Sequence, residues 1–530
     1  MKIEITQRDF IIILLIVVGL AFVLEANVSL KSHITFGDEG FHAGWGKWIS
    51  QNIEYPQWDQ LGFTDVFKTS FSRPPLFHLT EAGFLLLLGQ QEIILKLLPP
   101  LIAALTILAF YILIKRLYNK EIALISSLIL IGLPSFVTYT VVVFDEILFS
   151  FYMTLFTFTF ILALKENNRR LWFLSAVFGA LAVLTKNAGI IVFAFAGIAF
   201  LYKIYKERKL IDHLKQFALF FVIVSLIAAP FFMRNLVFYY TPTCYPIPLL
   251  TFDKSGCEVK EFEDQREFDV RTLSGGSEND ILSFGILNYI EFAYGNYWFI
   301  LIGLLGGLIV IMKKMDDVMP FILIMLVLGL IILQQTTQRT EDAARQLVAW
   351  ASLITIISAK YWNEIRSFLD RYLKYLGLII VVLILFLNYQ NVTSKLSAME
   401  SVKRFSPMFF EACDWVDENL DKDVKLMTFW GYRASYSCQR IISPGWADIR
   451  LNDNPEDIVK ISEMHGITHF FIQKFSISQQ PSRESYSVAF VRLLENNPDK
   501  FEKIYENGPP LNQCLQQGGC DGNIIYKVIY

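Results

Sequence analysis

The chain has 530 residues, of which 54% are hydrophobic and 15% aromatic, with a formal net charge of −3 and a mean hydropathy of +0.42. That apolar load exceeds what the core of a soluble protein of this length needs, so the chain reads as a polytopic α-helical membrane protein. It carries no large basic or acidic field and neither a GxGxxG nor a Walker loop, so nucleic acid is not an expected partner and a nucleotide-driven pump is unsupported.

A bilayer core of about 30 Å asks for roughly 20 apolar residues per helix, somewhat fewer where the ends snorkel. Eleven segments qualify: 10–24, 93–114, 121–142, 146–164, 171–185, 187–202, 216–238, 297–312, 318–334, 345–359 and 374–389. The first lacks a small-residue cleavage site and precedes further spans, so a retained helix is expected rather than a cleaved signal peptide. The apolar stretch 171–202 is broken at Thr185-Lys186-Asn187, which reads as a tight hairpin, with one long helix as the alternative.

Orientation follows from the short loops. Lys115, Arg116 and Lys120, then Lys165, Arg169 and Arg170, then Lys203, Lys206, Arg208 and Lys209 fall in loops of one parity. Lys313 and Lys314, then Lys360, Arg366 and Arg371, continue the series. The positive-inside rule makes that side cytoplasmic. The loops 25–92 and 239–296 and the tail 390–530 are then expected to face outward from the cell membrane. The domain expectation is a transmembrane domain over 1–389 and an extracytoplasmic α/β domain over 390–530.

All of Cys244, Cys257, Cys413, Cys438, Cys514 and Cys520 fall in these outward segments, where disulfides are allowed. Proximity suggests Cys244 with Cys257 and Cys514 with Cys520, free thiols being the alternative. The two N-x-S/T sequons, Asn27-Val28-Ser29 and Asn391-Val392-Thr393, are also on that side, close to the bilayer. In the tail, 424–429, 469–473 and 524–529 read as strands, and 409–419, 455–464 and 485–496 as helices.

The candidate chemistry lies at the outward edges. Asp38 and Glu39 follow the first span, and a carboxylate there suits a general base; Asp38 ahead of a helix over 41–49 reads equally well as an N-cap. Asp145 and Glu146 open the fourth span with the same two readings. Arg73 before Pro74-Pro75, Lys186 in the hairpin, Arg234 near the end of the seventh span and Arg345 at the start of the tenth put cations on the same side. Each alone reads as a snorkelling residue. As a set with the carboxylates they suit a membrane-anchored phosphate that must be bound and then stabilised as a leaving group.

In order, these stretches resemble the polyprenyl-phosphate-sugar-dependent glycosyltransferases of the GT-C fold, the superfamily of protein O-mannosyltransferases and lipid A aminoarabinose transferases. Phe36-Gly37-Asp38-Glu39 is similar to its first-loop D-E motif, Arg73-Pro74-Pro75-Leu76 to its (H/R/K)-P-P-L, and Phe144-Asp145-Glu146 to the acidic residue before the fourth span. Leu184-Thr185-Lys186-Asn187 is similar to L-T-K-G, Pro230-Phe231-Phe232-Met233-Arg234-Asn235 to P-W-x-x-R-N, and Arg345-Gln346-Leu347-Val348-Ala349 to a degenerate R-Y-x-x-P. Asn187, Phe231, Gln346 and Ala349 depart from those patterns.

The resemblance covers roughly residues 1 to 390 and implies a GT-C-like bundle. It also implies inverting transfer of a sugar from a dolichyl or undecaprenyl phosphate to a protein, lipid or glycan acceptor on the outer face. It would make Asp38 the base, with Glu39 and Asp145 positioning donor or acceptor. Arg73, Lys186 and Arg234 would contact the lipid phosphate, with Glu146 and Arg345 completing the substrate site. Neither a metal nor another cofactor is expected: His33, His42 and His78 share the first loop with the D-E pair but show no compact ligand spacing. Two rivals stand beside this reading. An oligosaccharyltransferase-like enzyme is suggested by Thr428-Phe429-Trp430-Gly431-Tyr432, which lacks the Asp of a W-W-D-Y-G motif. A secondary transporter would instead show inverted repeats and charges near helix centres.

Overall fold

The computed structural model describes residues 7–31, 33–34, 39–54, 73–208, 210–239, 298–336, 345, 348–372, 376–403, 406–428, 436–438, 440–444, 449, 452–474, 477–478, 486–517 and 520–530. Asp38, the loop 240–296 with Cys244 and Cys257, and residues 429–435 lie outside them. The chain divides into two compact units: residues 1–31, 72–77 and 96–400 form one, and residues 32–71, 78–95 and 401–530 the other.

Helices follow one another from the N-terminus: α1 (Gln7–Leu30), α2 (Glu39–Asn52), α3 (Leu76–Leu88), α4 (Glu92–Leu117), α5 (Lys120–Gly132), α6 (Pro134–Thr140), α7 (Asp145–Glu166), α8 (Arg169–Thr185), α9 (Ile191–Glu207) and α10 (Leu210–Tyr239). Then come α11 (Trp298–Lys313), α12 (Met319–Thr336), α13 (Ala351–Tyr372) and α14 (Leu376–Lys403). Among the described residues six helices are long and apolar enough to cross a membrane, and a bent pair makes a seventh. The other apolar segments form helices that are shorter, such as α8 with 17 residues, or more polar, such as α13. Segment 121–142 is not one straight helix. Pro134 pushes Leu133 out of the helical region (φ −70°, ψ 120°), and α5 and α6 meet at 64°. Both sequons lie inside helices, α1 and α14.

The first unit is built around α7, which is buried along nearly its whole length and therefore central. Its Phe156 and Phe160, one turn apart, face Phe195 of α9 and Phe220 of α10, and Phe158 faces Phe110 of α4 on the other side. The break at Lys186 is the expected hairpin: Trp172 near the start of α8 stacks on Phe200 near the end of α9, with ring centroids 5.2 Å apart. Gly189 in the 3₁₀ turn after Lys186 makes that reversal sterically allowed, because a Cβ there would sit 2.5 Å from the Ala182 carbonyl oxygen.

The C-terminal end of α7 collects the basic loops. Arg116 pairs with Glu166, Lys165 donates to the Leu117 carbonyl (3.2 Å), and Lys203 donates to that of Leu164. Lys206 meets Asp317 (2.6 Å) and Lys360 meets Asp316. The Lys/Arg loops grouped by parity in the sequence therefore converge on one end of the bundle.

The second unit carries a mixed five-stranded sheet in the order β2-β1-β3-β7-β6, from β1 (Lys425–Thr428), β2 (Ile441–Pro444), β3 (His469–Gln473), β6 (Phe501–Asn507) and β7 (Asn523–Val528). Strands β2, β1 and β3 run parallel, and β7 pairs antiparallel with both β3 and β6. A short parallel pair, β4 (Ile477–Ser478) and β5 (Tyr486–Ser487), lies apart from it. Helix α15 (Pro407–Asn419) lays Phe409, Ala412, Cys413 and Val416 on Leu426, Phe471 and Ile525 of the sheet. Cys413 bridges to Cys438, and Cys514 pairs with Cys520 as proximity predicts. Lys474, fully buried, is satisfied by Glu506 (2.7 Å) and by the carbonyls of Asn507 and Pro509.

His469 in β3 is 6% exposed, and burial, with Lys527 beside it in register, pushes its pKa down to about 4. A base whose folded pKa lies below its unfolded value stabilises the fold fully above the unfolded value and loses that contribution as pH falls toward the folded one. Between about pH 6.5 and pH 4 the second unit should therefore lose at most about 3 kcal/mol. Hydrogen exchange of β3 amides, corrected for intrinsic rates, should show falling protection from pH 7 to pH 5 in the wild type and a level profile in His469→Gln.

Candidate active site

Four of the candidate residues meet at the N-terminal end of α7. Glu146 Oε1 accepts from Lys186 Nζ at 2.8 Å and from Arg345 Nε at 2.7 Å, and Asp145 Oδ1 lies 3.4 Å from the same lysine. The Arg345 guanidinium also lies over the Phe144 ring, 4.7 Å from its centroid. Two carboxylates and two cations make a neutral set, but an unequal one: the Glu146 side chain is 1% exposed, while Asp145 and Lys186 are each 16% and Arg345 25% exposed.

Local structure explains each placement. Phe144 holds the cap position of α7 with extended backbone, so Asp145 and Glu146 are its first two helical residues and Asp145 is not the cap. Their charges complement the positive helix terminus. Lys186 is the residue that ends α8, in extended backbone, and its ammonium sits where the negative end of that helix favours a cation. Arg345 is held from α7. Ser150 Oγ donates to the Val348 carbonyl (2.9 Å) and Thr154 meets Ser352 (3.1 Å), so Glu146, Ser150 and Thr154, spaced by four, form one polar stripe facing the Arg345 segment. Sequence reasoning gave Phe144 and Ser150 no role. The stripe of polar residues at a spacing of four along an apolar helix was the signal for it.

Arg234 is in α10, where its Nη1 donates to Asn235 Oδ1 at 3.1 Å. It lies fourteen residues, about 21 Å, beyond Phe220, which touches Phe156; Asp145 lies eleven residues, about 16 Å, beyond Phe156. Helix α10 packs on both α8 and α9, and by helix length Arg234 lies toward the end of the bundle that carries Asp145. Arg73 is half-buried ahead of Pro74, Pro75 and the start of α3.

Glu39 belongs to the second unit. It is fully buried in the first turn of α2, and Asp38 lies just outside the described residues. Helix α2 is fixed on α3: His42 Nδ1 lies 3.0 Å from His78 Nε2, and Trp45 meets His78 edge-on with centroids 4.2 Å apart. Gly46 admits Glu81, whose Cβ would be 2.5 Å from a Cβ at that position. The His42–His78 bond uses one ring nitrogen of each, and His33 is exposed beside Glu92 at 3.7 Å. Among the described residues no group of three His, Cys, Asp or Glu side chains is placed to hold a metal ion. Lys47 of α2 lies 5.9 Å from the Tyr436 ring centroid, and burial, opposed by Glu92 and Asp417, lowers its pKa.

A buried anion that neutralises two cations is costly to remove, because it leaves both uncompensated. Glu146→Gln should lower stability by about 3 kcal/mol or more, and Asp145→Asn by under about 1 kcal/mol because its carboxylate is partly solvated. Thermal unfolding of the two variants in the same detergent measures the difference.

Residues 72–233 match the sequence profile of a family described as dolichyl-phosphate-mannose-protein mannosyltransferase. That stretch holds Arg73, Asp145, Glu146 and Lys186. No curated protein sequence matches the chain. Among solved structures, ArnT from Cupriavidus metallidurans bound to undecaprenyl phosphate superposes with a TM-score of 0.62 at 13% identity, over 98% of each chain. The oligosaccharyltransferase AglB from Archaeoglobus fulgidus, in complex with an inhibitory peptide and a dolichol-phosphate, gives 0.62 at 12% identity over 94% of this chain and 80% of that one. The arabinofuranosyltransferase AftD from Mycobacteria gives 0.53 at 11% identity over 97% of this chain and 41% of that one. The profile match over residues 72–233 and the architecture shared along nearly the whole length show a polytopic membrane protein of the GT-C fold.

Proposed function

We propose that the enzyme moves a single sugar from a polyprenyl-phosphate donor to a protein, lipid or glycan acceptor on the outer face of the membrane, with inversion at the anomeric carbon. The observation that carries this reading is the carboxylate–cation set of Asp145, Glu146, Lys186 and Arg345, at the opposite end of α7 from the converged basic loops. With those loops cytoplasmic by the positive-inside rule, the set faces outward. A lipid-phosphate head group reaches that depth, whereas a water-soluble nucleotide sugar made inside the cell does not.

In the reaction an acceptor oxygen attacks the anomeric carbon as its proton passes to a base, and the bond from that carbon to the phosphate oxygen breaks. The departing lipid phosphate carries the extra negative charge. Lys186 and Arg345 are the groups to meet it, and their second partner, Glu146, is too buried to touch substrate; its part is to hold both cations in place. Asp145, more exposed and next to Lys186, orients the donor. As the family resemblance implies, Arg234 and Arg73 extend the phosphate-binding set, Asp38 is the base, and Glu39 positions donor or acceptor. The absence of the motif Asp from Thr428-Phe429-Trp430-Gly431-Tyr432 supports a monosaccharide donor over an oligosaccharide one. The undecaprenyl phosphate and dolichol-phosphate held by the ArnT and AglB structures support the carrier class.

Proteoliposomes given a panel of radiolabelled polyprenyl-phosphate sugars test the reading. Asp38→Asn should cut turnover by about 100-fold or more while donor binding persists. Lys186→Met should weaken donor binding itself. Full turnover in Asp38→Asn removes the base from that position, and no donor consumed from any carrier defeats the proposal. A chelator should leave turnover unchanged.

A further inference from the structure

A cavity of about 670 Å³ opens at the basic end of the first unit, between the last turns of α7 and α9 and the first turns of α8 and α10. Its polar lining sets four cations, Lys165, Arg169, Lys203 and Lys215, against one carboxylate, Glu207. Lys203 is engaged with Glu207 at 3.4 Å, but Arg169 and Lys215 are exposed and have no ion-pair partner among the described residues. Leu164, Phe173, Leu219, Phe220 and Ile223 supply the apolar part of the lining. Phe173 and Leu219, 56% and 58% exposed on the outside of α8 and α10, continue that surface along the membrane-facing length of the helices.

A second observation is independent of the charges. Trp172 and His213 line the cavity and are each 5% exposed, yet Trp172 Nε1 and His213 Nδ1 meet no hydrogen-bond partner among the described residues; nor does Oε1 of Gln216, another lining residue. His213 Nε2 is 3.0 Å from Glu207 Oε2, which puts a proton on that nitrogen and leaves Nδ1 for another group. Buried polar atoms without partners are uncommon in folded proteins and point to a ligand or water that supplies them.

We infer that this cavity binds the phosphodiester head group of an anionic phospholipid, with its acyl chains lying along Phe173 and Leu219. The cations meet the phosphate oxygens, the indole N–H donates to one of them, and the head-group hydroxyls serve the acceptor atoms. A lipid fits better than a free anion because the cations sit directly above hydrocarbon-facing rings at the end of three membrane spans. The site is separate from the proposed active site, at the other end of a 22-residue helix about 33 Å long.

The test titrates purified full-length protein with phosphatidylglycerol or phosphatidylcholine and reads bound lipid by native mass spectrometry. The Arg169→Gln, Lys215→Gln double variant changes two exposed side chains, and Trp172→Phe keeps the ring while deleting its N–H. Phosphatidylglycerol should be retained over phosphatidylcholine, about tenfold more weakly by the double variant and severalfold more weakly by Trp172→Phe. Lys313→Gln, Lys314→Gln, which removes charge from the same end of the bundle outside the cavity, should leave retention unchanged. Equal retention by the wild type and the double variant, or an equal loss in the Lys313/Lys314 control, overturns the site. Displacement by inorganic phosphate as readily as by a short-chain phosphatidylglycerol overturns the lipid assignment in favour of a free anion.

Discussion

Glu146 is a carboxylate buried at the start of a membrane helix, and it accepts from two cations brought from distant parts of the chain, Lys186 and Arg345. An unpaired charge at that depth would cost several kcal/mol, so the helix carrying Glu146, the hairpin carrying Lys186 and the segment carrying Arg345 satisfy it only when they assemble together. The polar stripe below, through Ser150 and Thr154, fastens the same segment a further two turns down. Stability and site geometry are thus one arrangement. The fold itself holds the two cations in place, which is what the proposed stabilisation of a departing phosphate requires.

The bundle is electrically two-ended. At one end of α7 the carboxylates and cations balance; at the other, lysines and arginines from five loops gather and outnumber the acids that pair with some of them. The helices between are held by aromatic packing, with Phe156 and Phe160 bridging α7 to α9 and α10. An asymmetry of this kind gives a membrane protein a preferred way round, and under the two proposals above each end has its own chemistry toward phosphate-bearing lipids.

Much of this was legible in the sequence, for physical reasons that differ by element. Apolar length located the membrane helices but not all their bounds, since 121–142 is broken at Leu133 and 345–359 and 374–389 meet the longer helices α13 and α14; the hairpin follows from the polar break at Lys186, and the strand 469–473 and helix 455–464 were found with correct bounds from their own periodicity. Asp145, Glu146, Lys186 and Arg345 could be placed on one side by topology, and the structure brings them together. The inequality of Asp145 and Glu146 was not legible, because neighbouring residues with the same charge differ only in which face of α7 they occupy. The edge strand β6, Phe-Glu-Lys-Ile-Tyr-Glu-Asn, hid behind the charges that guard an exposed edge. The bridge between Cys413 and Cys438 depends on how α15 lies on the sheet rather than on chain proximity.

Lys186 and Arg345, held by Glu146, are the groups proposed to receive the lipid phosphate. The most direct measurement is a cryo-electron microscopy structure of the protein in a lipid nanodisc with undecaprenyl phosphate bound. A phosphate oxygen is expected about 3 Å from the Lys186 ammonium or the Arg345 guanidinium, with both still bonded to Glu146. A phosphate bound elsewhere, with the Glu146 cluster closed on itself and unchanged from the unliganded protein, would contradict it.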